Sequence, residues 1–256
     1  MSTRLVLAPE QHPLEIAGLR LYQAARDLGT WNARQDLDWE KPTSLTGERA
    51  ELAWGLASQA VYAEQLGLGN AAALISAIDD LDTRMCLAVQ CADEAKHSEV
   101  FARYALRAGC SLEPPLAGVT TMESMVEQLP NPMERFLVHT FLEGVALDEF
   151  FLIREAFKDD LLHDIYGFVI KDEARHVAMG LEHLERLIDR DAWPTALADL
   201  ERYRETAVAL CGIDTRAMSW LANLSGRRER DVVAWFTSRH NRRIDHLIEG
   251  SSLGRR

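Results

Sequence analysis

Asp93-Glu94-Ala95-Lys96-His97 and Asp172-Glu173-Ala174-Arg175-His176 are one pentapeptide pattern written twice, 79 residues apart. Thirty positions upstream of each glutamate stands another, Glu64 before Glu94 and Glu143 before Glu173, again 79 residues apart. Each half of the chain therefore reads Glu, then Asp-Glu-x-x-His. On an α-helix, residues i and i+3 lie about 60° apart around the axis and about 4.5 Å along it. Glu94 and His97 thus share a face, as do Glu173 and His176. The interval between the glutamates is that of a helical hairpin. At about 1.5 Å per residue, a helix climbing 15 residues and a partner returning 15 bring both ends to one level. The midpoints, Asp79 and Lys158, coincide with or adjoin Asp79-Asp80 and Asp159-Asp160. Aspartate is a good N-cap because its carboxylate accepts hydrogen bonds from the free amides of the first turn. A turn at Gly67, Gly69 and Asn70 would instead leave Glu94 roughly 36 Å away along its own helix, so that alternative is rejected.

The rest of the chain is compatible with helix throughout. Stretches such as 45–78 and 81–109 are rich in Ala, Leu, Glu, Arg and Met, with apolar residues at three- and four-residue intervals. No segment alternates with period two, so strands are not expected. The spacing predicts helices over 12–28, 45–78, 81–109, 132–157, 160–190, 193–211, 214–224 and 227–248, with a Trp-containing loop at 29–43 and a frayed tail. The fold class is all-α: one domain over 1–256, a four-helix bundle over 45–190, and accessory helices at 12–28 and 193–248. At 256 residues the chain is long enough for a sizeable core. Its formal charge of −12 counts against nucleic acid or an anionic membrane as the main partner. No apolar run reaches the roughly 18–20 residues of a membrane span. The N-terminus lacks a secretory pattern and the four cysteines form no framework, so a cytoplasmic location is expected.

Packing the two hairpins together brings four glutamates and two histidines into the interior of a bundle. Glu64 lies on an apolar stripe with Ala57, Val61 and Leu68, and Glu143 lies among Leu142, Val145 and Ala146. Four buried carboxylates without counter-charge are very costly, whereas two divalent cations neutralise them. Carboxylate and imidazole donors favour iron or manganese over soft-ligand metals. One Glu-x-x-His is commonly a solvated salt-bridge face. Two in register, each with a matched glutamate, form the ligand pattern of a dimetal bundle. Asp93 is placed to accept the N–H of His176, and Asp172 that of His97, fixing each tautomer.

These motifs resemble the ferritin-like dimetal-carboxylate superfamily, in its oxygen-activating branch. The resemblance covers about residues 20–190 and includes W-N-A-R-Q-D-L-D-W (31–39), D-E-A-K-H, L-E-G-V-A-L (142–147) and D-E-A-R-H-V-A-M-G (172–180). It implies Glu64, Glu94 and His97 as ligands of one metal and Glu143, Glu173 and His176 as those of the other, with one or two glutamates bridging. The chain is similar to ribonucleotide reductase small subunits, which keep a radical-bearing tyrosine four residues after the first histidine. Phe101 stands there, as in members with a mixed manganese–iron centre. It also resembles the p-aminobenzoate N-oxygenase family, but Val169 occupies the place of that family's third histidine.

The resemblance implies an oxidase or oxygenase with two iron ions, or a manganese–iron pair, and dioxygen as co-substrate. It would oxidise a C–H or N–H bond of a small organic molecule. A radical-generating subunit and an iron-handling ferroxidase are the alternative classes. No flavin or iron–sulfur motif is visible, so a separate electron-donor protein is expected, or a substrate that supplies the electrons. The expected assembly is a homodimer. Counting turns from the ligands places the substrate pocket beside Phe101, His139, Leu147 and Phe150. The resemblance to radical subunits implies Trp31 and Trp39 as an electron relay to the site, with packing as the bland alternative; a hydrogen-bonded core role is that for His139.

Overall fold

A computed structural model describes residues 20–28, 31–117, 124, 126–129, 131–158, 160–191 and 216–250. Seven helices are found among them: α1 (Arg20–Leu28), α2 (Glu48–Ala77), α3 (Leu81–Gly109), α4 (Pro132–Ala156), α5 (Leu161–Asp191), α6 (Arg216–Ser225) and α7 (Glu229–Gly250). No strand occurs among the described residues. The helix expected over 193–211 lies outside them, as does the part of the first expected helix before Arg20.

The turn between α2 and α3 falls where the thirty-residue interval requires. Asp80 is the N-cap of α3, its side chain accepting from the Thr83 amide at 3.0 Å. Asp160 does the same before α5, accepting from the Leu162 amide at 2.9 Å. Helix α2 runs unbroken through Gly67, Gly69 and Asn70. Asn131 caps α4 by accepting from the Met133 amide at 2.9 Å, and Pro132 takes the first helical position, where a missing N–H costs nothing.

Helices α2 and α3 form one hairpin and α4 and α5 the other; α2 packs on α4 and α3 on α5. Helix α1 lies against α3, while α6 and α7 lie against the second hairpin. Two apolar clusters fill the bundle. One holds Phe101, Tyr104, Phe150, Phe157 and Tyr166. The other holds Leu74, Leu87, Phe136, Phe141 and Leu184. Each fully buried Leu or Phe contributes about 1.5–3 kcal/mol by leaving water. The repeated glutamates and histidines sit at positions on α2–α5 that these clusters exclude from solvent.

Candidate metal centre

All six residues of the repeat converge. Glu64, Glu94, Glu143, Glu173 and His176 are 2–7% exposed and His97 is fully buried. His97 Nδ1 lies 3.3 Å from Glu64 Oε2, 3.3 Å from Glu173 Oε1 and 3.6 Å from Glu94 Oε2. His176 Nδ1 lies 3.2 Å from Glu143 Oε2, 3.3 Å from Glu94 Oε1 and 3.6 Å from Glu173 Oε2. The cluster therefore divides into two ligand sets, Glu64-Glu94-His97-Glu173 and Glu94-Glu143-Glu173-His176, the donor atoms of each within 4.8 Å of one another. Glu94 and Glu173 belong to both sets, so each is placed to bridge. Gly67 makes room for one of them: a Cβ there would stand 3.2 Å from the Glu94 carboxyl carbon.

The donor set suits two divalent ions. Glu64 Oε1 is buried without a hydrogen-bond partner, a costly arrangement unless a cation meets it. Burial pushes the Glu64 carboxyl well above the usual range, against the pull of His97. Burial, with Glu143 and Glu94 alongside, pushes Glu173 up to about 7. Glu143 is the exception. Burial works the same way on it, but the His139 and His176 imidazoles outweigh burial and hold it down to about 2. For His97, burial opposes the charged ring. Hydrogen bonds with Asp172, Glu173, Glu64 and Glu94 more than offset it and raise the ring's pKa well above the ordinary imidazole value. His176 behaves alike through Asp93, Glu143, Glu173 and Glu94. Without metal, then, protons take up part of the charge the carboxylates would otherwise carry.

The outer edge of each imidazole meets an aspartate. His97 Nε2 lies 3.0 Å from Asp172 Oδ2, and His176 Nε2 lies 3.3 Å from Asp93 Oδ2. A carboxylate only accepts, so Nε2 carries a proton toward the aspartate, and the proton on Nδ1, which faces the glutamates, is the one a metal would displace. Lys96 and Arg175 each bind both aspartates. Lys96 Nζ is 2.9 Å from Asp93 and 3.0 Å from Asp172; Arg175 donates to Asp172 at 2.9 Å and also to Asp93. Trp31 adds a donor from the loop before α2, its Nε1 lying 2.6 Å from Asp172 Oδ2. Burial works against the charge of Asp172, yet the His97 hydrogen bond, the His97 and Lys96 charges and Trp31 hold its carboxyl far below the usual range. Trp39 is used differently: its Nε1 donates to the Ala33 carbonyl and Arg103 lies over its ring.

Sequence alone gives Lys96, Arg175 and Gln90 no role at the centre, and it offers Trp31 only an electron-relay or packing role, not the hydrogen bond to Asp172. Lys96 and Arg175 did carry a signal, a basic residue in the same place of both repeats. Gln90 Nε2 lies 3.1 Å from Glu94 Oε1 and 3.0 Å from His139 Nε2, and His139 Nδ1 lies 3.4 Å from Glu143 Oε1. His139 is therefore tied to the ligand glutamates on both sides of its ring.

A cavity of about 160 Å³ opens between α2 and α4. Glu64, Glu94, Glu143, Glu173 and His139 lie on its inner side, and Leu66, Leu142, Val145, Ala146, Glu149 and Phe150 form much of its wall. Of the four residues expected beside substrate, His139 and Phe150 line it. Phe101 and Leu147 do not. The Phe101 ring is packed behind Phe150 and Tyr166, with centroids 6.2 and 5.1 Å away, and Leu147 belongs to the apolar core. A place one turn from a ligand fixes height along the helix, not which side of the bundle the side chain meets.

No protein-family model and no curated protein matches the sequence. Solved structures do match. A variant R2-like ligand-binding oxidase with an aerobically reconstituted Mn/Fe cofactor aligns at TM-score 0.72 and 18% identity, over 92% of this chain and 98% of that one. A second variant of the same description, with the cofactor reconstituted anaerobically, aligns at TM-score 0.72 and 18% identity over 91% and 94% of the two chains. An R2-like ligand-binding oxidase with its metal cofactor after photoconversion aligns at TM-score 0.68 and 18% identity, over 91% and 94%. The chain thus has the ferritin-like fold of these helical R2-type proteins, with a buried carboxylate–histidine cluster suited to a pair of metals.

Proposed function

We propose that the protein is an oxygen-activating dimetal oxidase or oxygenase, acting on a small organic substrate through an iron pair or a manganese–iron pair. The observation that carries this reading is the division of one buried cluster into two ligand sets sharing Glu94 and Glu173. The Mn/Fe cofactors of the structurally similar oxidases support the same choice of metals. Bound metals would supply the Lewis acidity and electrons for reaction with dioxygen.

The chain supplies the surroundings. Glu64 and His97 would hold one ion and Glu143 and His176 the other. Asp172 and Asp93 keep the Nε2 protons of the two histidines, leaving Nδ1 to face the ions. Lys96 and Arg175 offset the charge of both aspartates, so the second layer adds little net charge to the interior. The apolar clusters at either side exclude water, and the cavity between α2 and α4 leaves one approach for substrate.

Purified protein is expected to bind close to two equivalents of iron or manganese by elemental analysis, and to consume dioxygen when iron-loaded and reduced. His97→Ala and His176→Ala should each lower the metal content, since each removes the only nitrogen ligand of one ion. Unchanged metal content in both variants would contradict the reading.

A further inference from the structure

The cavity wall carries one charged group that the metal centre does not use. Glu149 lies on α4 six residues beyond Glu143, an axial rise of about 9 Å, among the apolar wall residues. It makes no hydrogen bond or ion pair among the described residues. The nearby cations are committed elsewhere: Arg243 donates to both oxygens of Asp148 at 2.9 Å, and Arg239 also pairs with Asp148. Burial, reinforced by the charge of Asp148, pushes the Glu149 carboxyl up to about 7. An acidic side chain on an apolar wall is costly unless something pairs with it. The side chain is half-buried and lines the cavity, so a partner for its carboxylate would approach from there.

We propose that the cavity takes a compact amine, whose ammonium group pairs with Glu149 while its apolar body packs against Leu66, Leu142, Val145, Ala146 and Phe150. This rests on the metal reading for what happens at the inner end, and adds the substrate class. A cavity near 150 Å³ holds a molecule about the size of benzene, so a single ring or a short aliphatic chain fills this one. The rise of about 9 Å separates Glu149 from the ligand glutamate on the same helix. The ammonium is then the anchor, and the bond facing the metals lies at the other end of the molecule. A carboxylate-bearing molecule in the same orientation would meet Glu149 with like charge and is disfavoured.

The test uses manganese(II)-loaded protein under anaerobic conditions, with metal content measured on every sample. Benzylamine, benzyl alcohol and benzoate are titrated calorimetrically into the parent chain, Glu149→Gln and Glu149→Asp. The parent should bind benzylamine at least about tenfold more tightly than benzyl alcohol, as an unscreened charge pair allows, and benzoate most weakly. Glu149→Gln should lose that preference while keeping its metal content and its affinity for benzyl alcohol. Glu149→Asp should keep the preference in part. Equal binding of amine and alcohol by the parent, tightest binding of benzoate, or a preference that survives in Glu149→Gln overturns the inference. Any of these with two metals still bound leaves the metal reading intact. A Glu149-dependent preference in a chain that takes up no metal would support the amine site and sink the metal reading.

Discussion

Each histidine of the centre is held from behind by an aspartate that is itself held by two cations. Asp93 and Asp172 are 3% and 0% exposed, so an exposed-surface role is excluded for both. An anionic acceptor raises the basicity of the ring and keeps its proton on Nε2. An asparagine can present its NH₂ end and reverse the tautomer. Asp93→Asn and Asp172→Asn are therefore expected to keep the fold and lower metal affinity by about 10- to 100-fold, the range for groups that orient metal ligands. Asp245→Asn, at an exposed position of α7, should leave affinity unchanged. Metal titration of the three variants checks this, and identical affinity in all of them would remove the role given to the aspartates.

At the scale of elements, the two hairpins were legible because their information is local and repeated. A thirty-residue interval, an aspartate near its midpoint and a Glu-x-x-His at its end define where α2, α3, α4 and α5 must turn. The observed bounds of α2 to α5 lie within three residues of the expected ones, and those of α3 coincide with them, a scatter common at helix ends. What lies between elements was less legible. Trp31 reaches Asp172 across 141 residues of sequence, and no periodicity reports such a contact. Gln90 stands one turn before Glu94, but only the rotation of α3 against α4 decides that it also meets His139. Phe101 shows the same limit. Its height beside the ligands follows from counting, while its direction, into the ring cluster with Phe150 and Tyr166, depends on packing. Glu149 carries no sequence signal, since one acidic residue on a helix is ordinary until a cavity lies beside it.

Across the whole molecule, a bundle built around four buried carboxylates has a stability that depends on what neutralises them. In the metal-free protein Glu173 keeps its proton up to about pH 7, whereas in the unfolded chain it loses it near the ordinary glutamate value of 4.5. Glu64 is shifted in the same direction, and His97 and His176 hold protons well above the unfolded imidazole value of 6.5. For all four groups the folded state binds more protons than the unfolded one above those values, so stability falls as pH rises through the folded-state pKa values. Glu143, Asp93 and Asp172 are shifted the other way and contribute above their unfolded values, a contribution lost only on acidification. Between about pH 5 and 9, therefore, the metal-free protein should become less resistant to denaturant as pH rises. The metal-loaded protein should lose that dependence, because cations replace the protons. Chemical denaturation of both forms across this range tests it, and a metal-free protein that gains stability from pH 6 to 8 would be inconsistent with it.

The reading proposed for the protein has one buried cluster holding two ions, with Glu94 and Glu173 against both. Anomalous diffraction from crystals of the protein loaded with manganese and iron addresses it directly. Two anomalous peaks are expected inside the bundle, one against His97 and Glu64, the other against His176 and Glu143, each also within bonding distance of Glu94 and Glu173. A single peak, or peaks only on the outer surface, would contradict it.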